Sequence, residues 1–115
     1  MLIEIERQRD VCVVHLRGRF VMVTDPDYLS SKADEIKTSN CSKLVVDLSE
    51  VSAIGSTVIG FVVGLYTTIT KKAGGRFTLA GANSRVREVL DLTRLSTVIP
   101  LAGDTGSALA ALLAD

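Results

Sequence analysis

Residues 43–60 read KLVVDLSEVSAIGSTVIG, and this stretch decides the fold. Leu44 to Leu48 is a near-continuous apolar run, the pattern of a central strand covered on both faces. A short loop is expected after it. A helix then opens at Ser56-Thr57 and runs to about Ala73, where Gly74-Gly75 stops it behind Lys71 and Lys72. The arrangement holds a hydroxyl at the mouth of a helix, where free backbone N–H groups and the macrodipole favour a phosphate.

Working outward, Leu2, Ile3 and Ile5 begin a strand and Val11 to Leu16 form another, with the polar turn Arg7-Gln8-Arg9-Asp10 making the pair a hairpin. Asp25-Pro26 has the form of an N-cap followed by proline at the first helical position. Leu29, Ala33 and Ile36 follow at helical spacing to about Thr38, and Ser39-Asn40 breaks the helix. Phe77 to Ala80 reads as a strand. Asn83 or Ser84 caps a helix carrying Val86, Val89, Leu90 and Leu92. Val98 to Leu101 is a short last strand that Pro100 confines to an edge or an early end. Asp104 to Leu113 is a terminal helix. The predicted order is ββαβαβαβα, which specifies one α/β domain over residues 1–115 with a mixed, mostly parallel sheet.

The bulk composition narrows the function. With 13 basic and 13 acidic residues in 115, no long-range field gathers nucleic acid or anionic lipid. Aromatics are scarce and tryptophan is absent, so a base-stacking surface is not expected. MLIEIERQRD at the start alternates apolar and charged residues, unlike a signal peptide. Val51 to Thr70 carries no charge, but its Ser and Thr residues and its opening loop leave less than the roughly 20 apolar residues a bilayer span requires. No direct membrane insertion is expected. Cys12 sits in an apolar strand pattern and Cys41 in a polar turn, so two reduced cytosolic thiols are expected in place of a bridge.

Few residues carry candidate chemistry. His15 is the single histidine, set in Val13-Val14-His15-Leu16, and reads as a hydrogen-bonded or edge-exposed strand residue with no nucleophile beside it. No CxxC or HExxH pairing supports a transition-metal site. Asp47, expected at the strand's end, is where α/β folds place ligands, yet it equally suits a carboxylate bonded to loop N–H groups. Glu50 is expected to face water. Ser56 is expected as the N-cap or a first-turn residue, with its oxygen aimed at the free N–H groups. A phosphoryl group there would add roughly −1.5 to −2 charges and repel a partner docked over the loop without melting the helix. Along the same helix Val58, Val62, Leu65 and Ile69 form one apolar stripe, with Ile59, Phe61, Val63 and Tyr66 around it and Gly60 and Gly64 suited to close backbone approach.

These features together resemble a STAS domain, the fold of bacterial anti-sigma factor antagonists. The resemblance covers nearly the whole chain. It rests on the element order, on LVVDLSEV at 44–51, on Ser56 opening the helix, on Gly74-Gly75, and on LAGANS at 79–84 followed by Val86, Leu90 and Leu95. The family's central motif has an aspartate, a phosphorylatable serine, a second serine or threonine, and a glycine. Those positions here are Gly55, Ser56, Thr57 and Val58. The resemblance implies a cytoplasmic, non-enzymatic partner switch. The unmodified chain would bind an anti-sigma factor that is also a serine kinase, through Gly55, Ser56, Thr57, Val58 and Ile59, and so free a sigma factor. Phosphorylation at Ser56, with Thr57 as substitute acceptor, would release it, and a PP2C-type phosphatase would reset it. No cofactor is implied, since ATP belongs to the kinase. Gly55 removes an acid that could position the serine, and Val58 puts a β-branched side chain where it could crowd a partner. Single STAS domains also resemble the cytoplasmic subunits that brace the ATPase of ABC-type lipid transporters, and stressosome-like scaffolds, neither needing phosphorylation. A homodimer through the apolar helix edge stays open.

Overall fold

The computed structural model describes residues 2–20, 25–39 and 41–114. Five strands lie in the order in which the chain makes them: β1 (Leu2–Gln8), β2 (Val11–Phe20), β3 (Lys43–Ile54), β4 (Arg76–Ala80) and β5 (Leu101–Ala102). β1 and β2 are antiparallel, and every later pairing is parallel. The hairpin turns on Arg9-Asp10, with Arg9 at φ 58. Between the strands lie α1 (Pro26–Thr38), α2 (Ser56–Thr70), α3 (Ser84–Leu92) and a 3₁₀ turn at Leu95–Thr97, and α4 (Thr105–Leu113) closes the chain. The mixed, mostly parallel α/β sheet expected from the alternation is the sheet observed.

Strand alternation divides the core into two layers. Ile3, Cys12, Val14, Leu16, Leu44, Val46, Leu48 and Leu79 project to the side covered by α1, α2 and α3. Val11, Val13, Val45 and Ala80 project to the other side, against Ala108 and Leu112 of α4. β3 is buried on both faces along its first half, which explains its continuous apolar run. The stripe of α2 falls where the periodicity put it: Val58, Val62, Leu65 and Ile69 are its buried residues.

Four expectations change. β2 and β3 do not stop at Leu16 and Leu48. Two register shifts, between His15 and Arg17 and between Gly18 and Arg19, carry the pairing on to Phe20 opposite Ile54. The supposed loop after Leu48 is therefore strand, and Asp47 lies in its middle. Helix α2 ends at Thr70, short of Ala73, and a turn with Gly74 at φ 70 leads out of it. A side chain at Gly75 would put its Cβ 1.9 Å from the Ile69 carbonyl oxygen, so that turn admits only glycine. The segment before β5 forms a 3₁₀ turn, and Ile99 plugs the core while the Pro100 carbonyl accepts a bond from Leu79 N–H. Pro100 has no N–H to offer a ladder, so the pairing starts after it.

The cysteines are the fourth correction. Cys12 and Cys41 are joined by a disulfide, with their Cα atoms 5.8 Å apart. Polar neighbours made Cys41 look like a surface turn residue, but it is fully buried just before β3, beside the start of β2. Ser39 ends α1 by returning its N–H to Ile36 O; Asn40 lies outside the described residues. Among the described residues, no helix is long and apolar enough to cross a membrane.

Candidate functional site

The long β2–β3 pairing carries the chain to the start of α2. Gly55 N–H donates to Phe20 O at 2.7 Å, tying the end of β3's run to the end of β2. On the other flank Asn83 caps α3 by accepting from Val86 N–H at 2.8 Å, while its amide donates to Val51 O at 2.9 Å. The N-terminus of α2 thus stands on a braced strand end.

Gly55 is the N-cap of α2, and it offers no side-chain acceptor. Ser56 occupies the first helical position and is exposed, as is Thr57 after it. Ser56 is therefore a first-turn residue and does not cap. The first turn also contains no acidic residue. Helix-start N–H groups that an acceptor at the cap position would have engaged are left to solvent or to a ligand. Val58 is 0 % exposed and packed in the core. Its side chain has no surface with which to touch or crowd a partner, contrary to the expectation from the motif alone. Ile59 is half-buried against the same core.

Beside Thr57 a groove of about 320 Å³ opens between α1 and α2. Pro26, Leu29, Ala33 and Lys37 line one wall, and Thr57, Phe61 and Leu65 line the other, with Gly60 and Gly64 between them. Those glycines admit no close backbone neighbour. A Cβ on either would meet nothing within 4 Å. The wall contributed by α1 escaped the sequence reading, although the i, i+3, i+4, i+7 spacing of Pro26, Leu29, Ser30 and Ala33 was available to reveal it.

Asp47 and His15 do not join this site. Asp47 projects to the α4 side of the sheet, opposite α2. It is 6 % exposed and accepts Ser49 N–H at 2.9 Å on one oxygen and meets His15 Nδ1 at 2.6 Å on the other. The alternative of a carboxylate held by backbone N–H is the one observed. Thr105 of α4 lies beside the same carboxylate, with its hydroxyl buried and short of hydrogen-bond geometry. The second nitrogen of His15, Nε2, reaches Glu6 at 3.1 Å, so the three side chains bridge β1, β2 and β3. Burial pushes the His15 pKa down, but hydrogen bonds to Asp47 and Glu6, with their charges, more than reverse it and leave it raised. Burial raises Asp47, and bonds from the Ser49 hydroxyl and N–H, then His15, bring it below its ordinary value. A second row lies alongside. Arg17 bonds Glu4 at 2.5 Å and pairs at 2.8 Å with Glu50, though its Nε–H is not aligned for a hydrogen bond there. Both rows are structural stitching across strands.

The family model described as the STAS domain matches residues 3–108. The chain belongs to the STAS domain family. An anti-sigma F factor antagonist of Paenibacillus polymyxa is 30% identical over 100 residues, covering 86% of this chain and 84% of that protein. The crystal structure of an anti-sigma factor antagonist from Mycobacterium paratuberculosis superposes with a TM-score of 0.82 at 27% identity, over 96% of this chain and 92% of that one. The anti-sigma factor antagonist SpoIIAA in its unphosphorylated form shares the fold at a TM-score of 0.82 and 17% identity, over 99% and 98% of the two chains. This STAS domain accordingly has its relatives among the anti-sigma factor antagonists.

Proposed function

We propose that this STAS domain is an anti-sigma factor antagonist whose docking surface is the N-terminal turn of α2 and the adjoining mouth of the α1–α2 groove. Its partner is an anti-sigma factor with serine kinase activity in the same cytoplasm, and phosphorylation of Ser56 ends the interaction. A PP2C-type phosphatase restores it. The observation that carries the reading is an exposed serine at the first position of a helix whose cap residue is glycine. A phosphoryl group there gains the free N–H groups and the macrodipole without displacing a carboxylate cap. It also sets roughly −1.5 to −2 charges in the middle of the docking surface. Thr57, one position on and at the groove's edge, is the substitute acceptor.

The test begins with capture of the tagged chain from its native extract, identifying the bound proteins by mass spectrometry. A histidine-kinase-like ATPase is the expected companion. Ser56→Asp should then weaken that complex at least about tenfold, since about 1.4 kcal/mol of repulsion suffices, while the melting temperature stays within about 2 °C. Ser56→Ala should bind and resist release by ATP. Recovery of an ABC ATPase with membrane partners would overturn the proposal in favour of a transporter-bracing subunit, and a Ser56→Asp variant that unfolds would remove Ser56 as the switch.

A further inference from the structure

We propose that Cys12 and Cys41 form a reversible redox site that clamps α1 onto the body of the domain. The bridge joins the second residue of β2 to the residue two before β3, a separation of 29, and the ring it closes contains α1 entire. That helix is held by few buried side chains, and at its N-terminal end Tyr28 Oη ties it to β1 by accepting Ile3 N–H at 2.9 Å. Leu29 and Ile36 are its only buried residues among the described ones, whereas α2 buries four. At the C-terminal end of α1 the ties converge on the bridged turn. Ser39 Oγ donates to Ile36 O at 2.6 Å and lies 3.9 Å from Cys12 Sγ. Lys72, just beyond α2, donates through Nζ to Ser39 O at 3.3 Å and Cys41 O at 2.9 Å. The disulfide is the covalent member of this set, and it fixes one end of a wall of the groove.

Reduction by a dithiol breaks the bond in two exchanges. A reductant thiolate attacks one sulfur and expels the other cysteine as thiolate, which takes up a proton. The second reductant thiol then attacks the mixed disulfide and releases the first cysteine. The protein gains two electrons and two protons, and the dithiol leaves as a disulfide. Both protein sulfurs are buried, so attack waits on opening of the last turn of α1. The redox state then sets how firmly α1 is held, and through α1 the width of the groove beside Thr57.

The experiment uses the whole chain, prepared under air and then with dithiothreitol. Intact mass and alkylation should count no free thiol before reduction and both after it. Hydrogen exchange should accelerate at least about tenfold at the α1 amides and little in β3, as expected for a sub-global unit, and the amide resonances of Gly60 and Gly64 should shift. A Cys12→Ala, Cys41→Ala double variant should match the reduced protein and ignore the reductant. The proposal is overturned if air-prepared protein alkylates at both cysteines, or if reduction leaves α1 exchange unchanged. It is equally overturned if exchange rises uniformly, since the bridge would then stabilise the whole domain and clamp no particular helix.

Discussion

Replacing His15 by alanine removes the middle of the Glu6–His15–Asp47 bridge and leaves Asp47, 6 % exposed, with the Ser49 contacts as its remaining hydrogen-bonded support. A hydrogen bond to a charged group contributes about 1.5–3 kcal/mol, and truncation adds the desolvation of the partner left behind. The Glu6 contact reaches a fully exposed carboxylate and receives no share of that figure. The expected loss is therefore about 2 kcal/mol, or roughly 8 °C in melting temperature for a chain of this size. The pH profile separates this explanation from simple loss of packing. His15 is raised above its ordinary 6.5 in the folded state, so its contribution is complete below 6.5 and fades as pH rises through the folded value. Asp47 is lowered from 3.8, so its contribution is complete above 3.8 and fades as pH falls through the folded value. The groups facing the imidazole are Asp47 on β3 and Glu6 on β1. Glu4, its register partner, is engaged by Arg17. Urea unfolding of wild type and His15→Ala across the acidic to mildly alkaline range should show the difference between them largest between those limits and shrinking as pH rises through the folded value of His15. A difference that stays constant as pH rises would refute the electrostatic account and leave only a packing defect.

Other substitutions test the remaining geometry. Gly75→Ala forces a methyl onto the Ile69 carbonyl and should cost more than about 3 kcal/mol or block folding, measured by chemical denaturation. Gly64→Ala meets open space and should raise stability by up to about 1 kcal/mol from helix propensity; a loss would show that the groove closes over this position in solution. Asn83→Ala removes the α3 cap and the tie to Val51 O, and should lower stability by about 1–2 kcal/mol, with faster hydrogen exchange at the first turn of α3 as the local signature.

The elements that announced themselves in the sequence are those whose burial pattern is simple. The helix stripe of α2 buries one face, and the first half of β3 buries both, so period and run length identified them. The second halves of β2 and β3 hid because Arg17, Arg19, Ser49 and Glu50 are polar. Arg17 and Glu50 form an ion pair across neighbouring strands, a long-range pairing that local propensity cannot register. The same holds for Cys12 and Cys41: the register sets Cys12 opposite Leu44, and Cys41, just before β3, meets it from outside the ladder, which leaves no local trace. His15 and Asp47 were read singly. That they would meet followed only once β2 and β3 were laid parallel with His15 opposite Asp47.

The two departures from the family motif weigh differently once the helix is in place. Val58 seemed to obstruct a partner, yet its direction is set by the stripe that includes Val62, Leu65 and Ile69, and all four face inward. A β-branched residue there adds core contact and leaves the proposed docking surface unaltered. Gly55 seemed to weaken a switch by removing an acid. As the N-cap it does something else: an aspartate at that position would itself accept from the helix-start N–H groups and repel a phosphate beside it. With glycine the helix start is neither capped nor acidic, so the negative charge proposed for Ser56 would meet a positive helix end with no competitor. Gly55→Asp should therefore stabilise the unmodified domain by a few tenths of a kcal/mol while reducing the stabilisation that phosphorylation of Ser56 confers. If the phosphorylated form melts at the same temperature with either residue, the helix start is not what receives the phosphate.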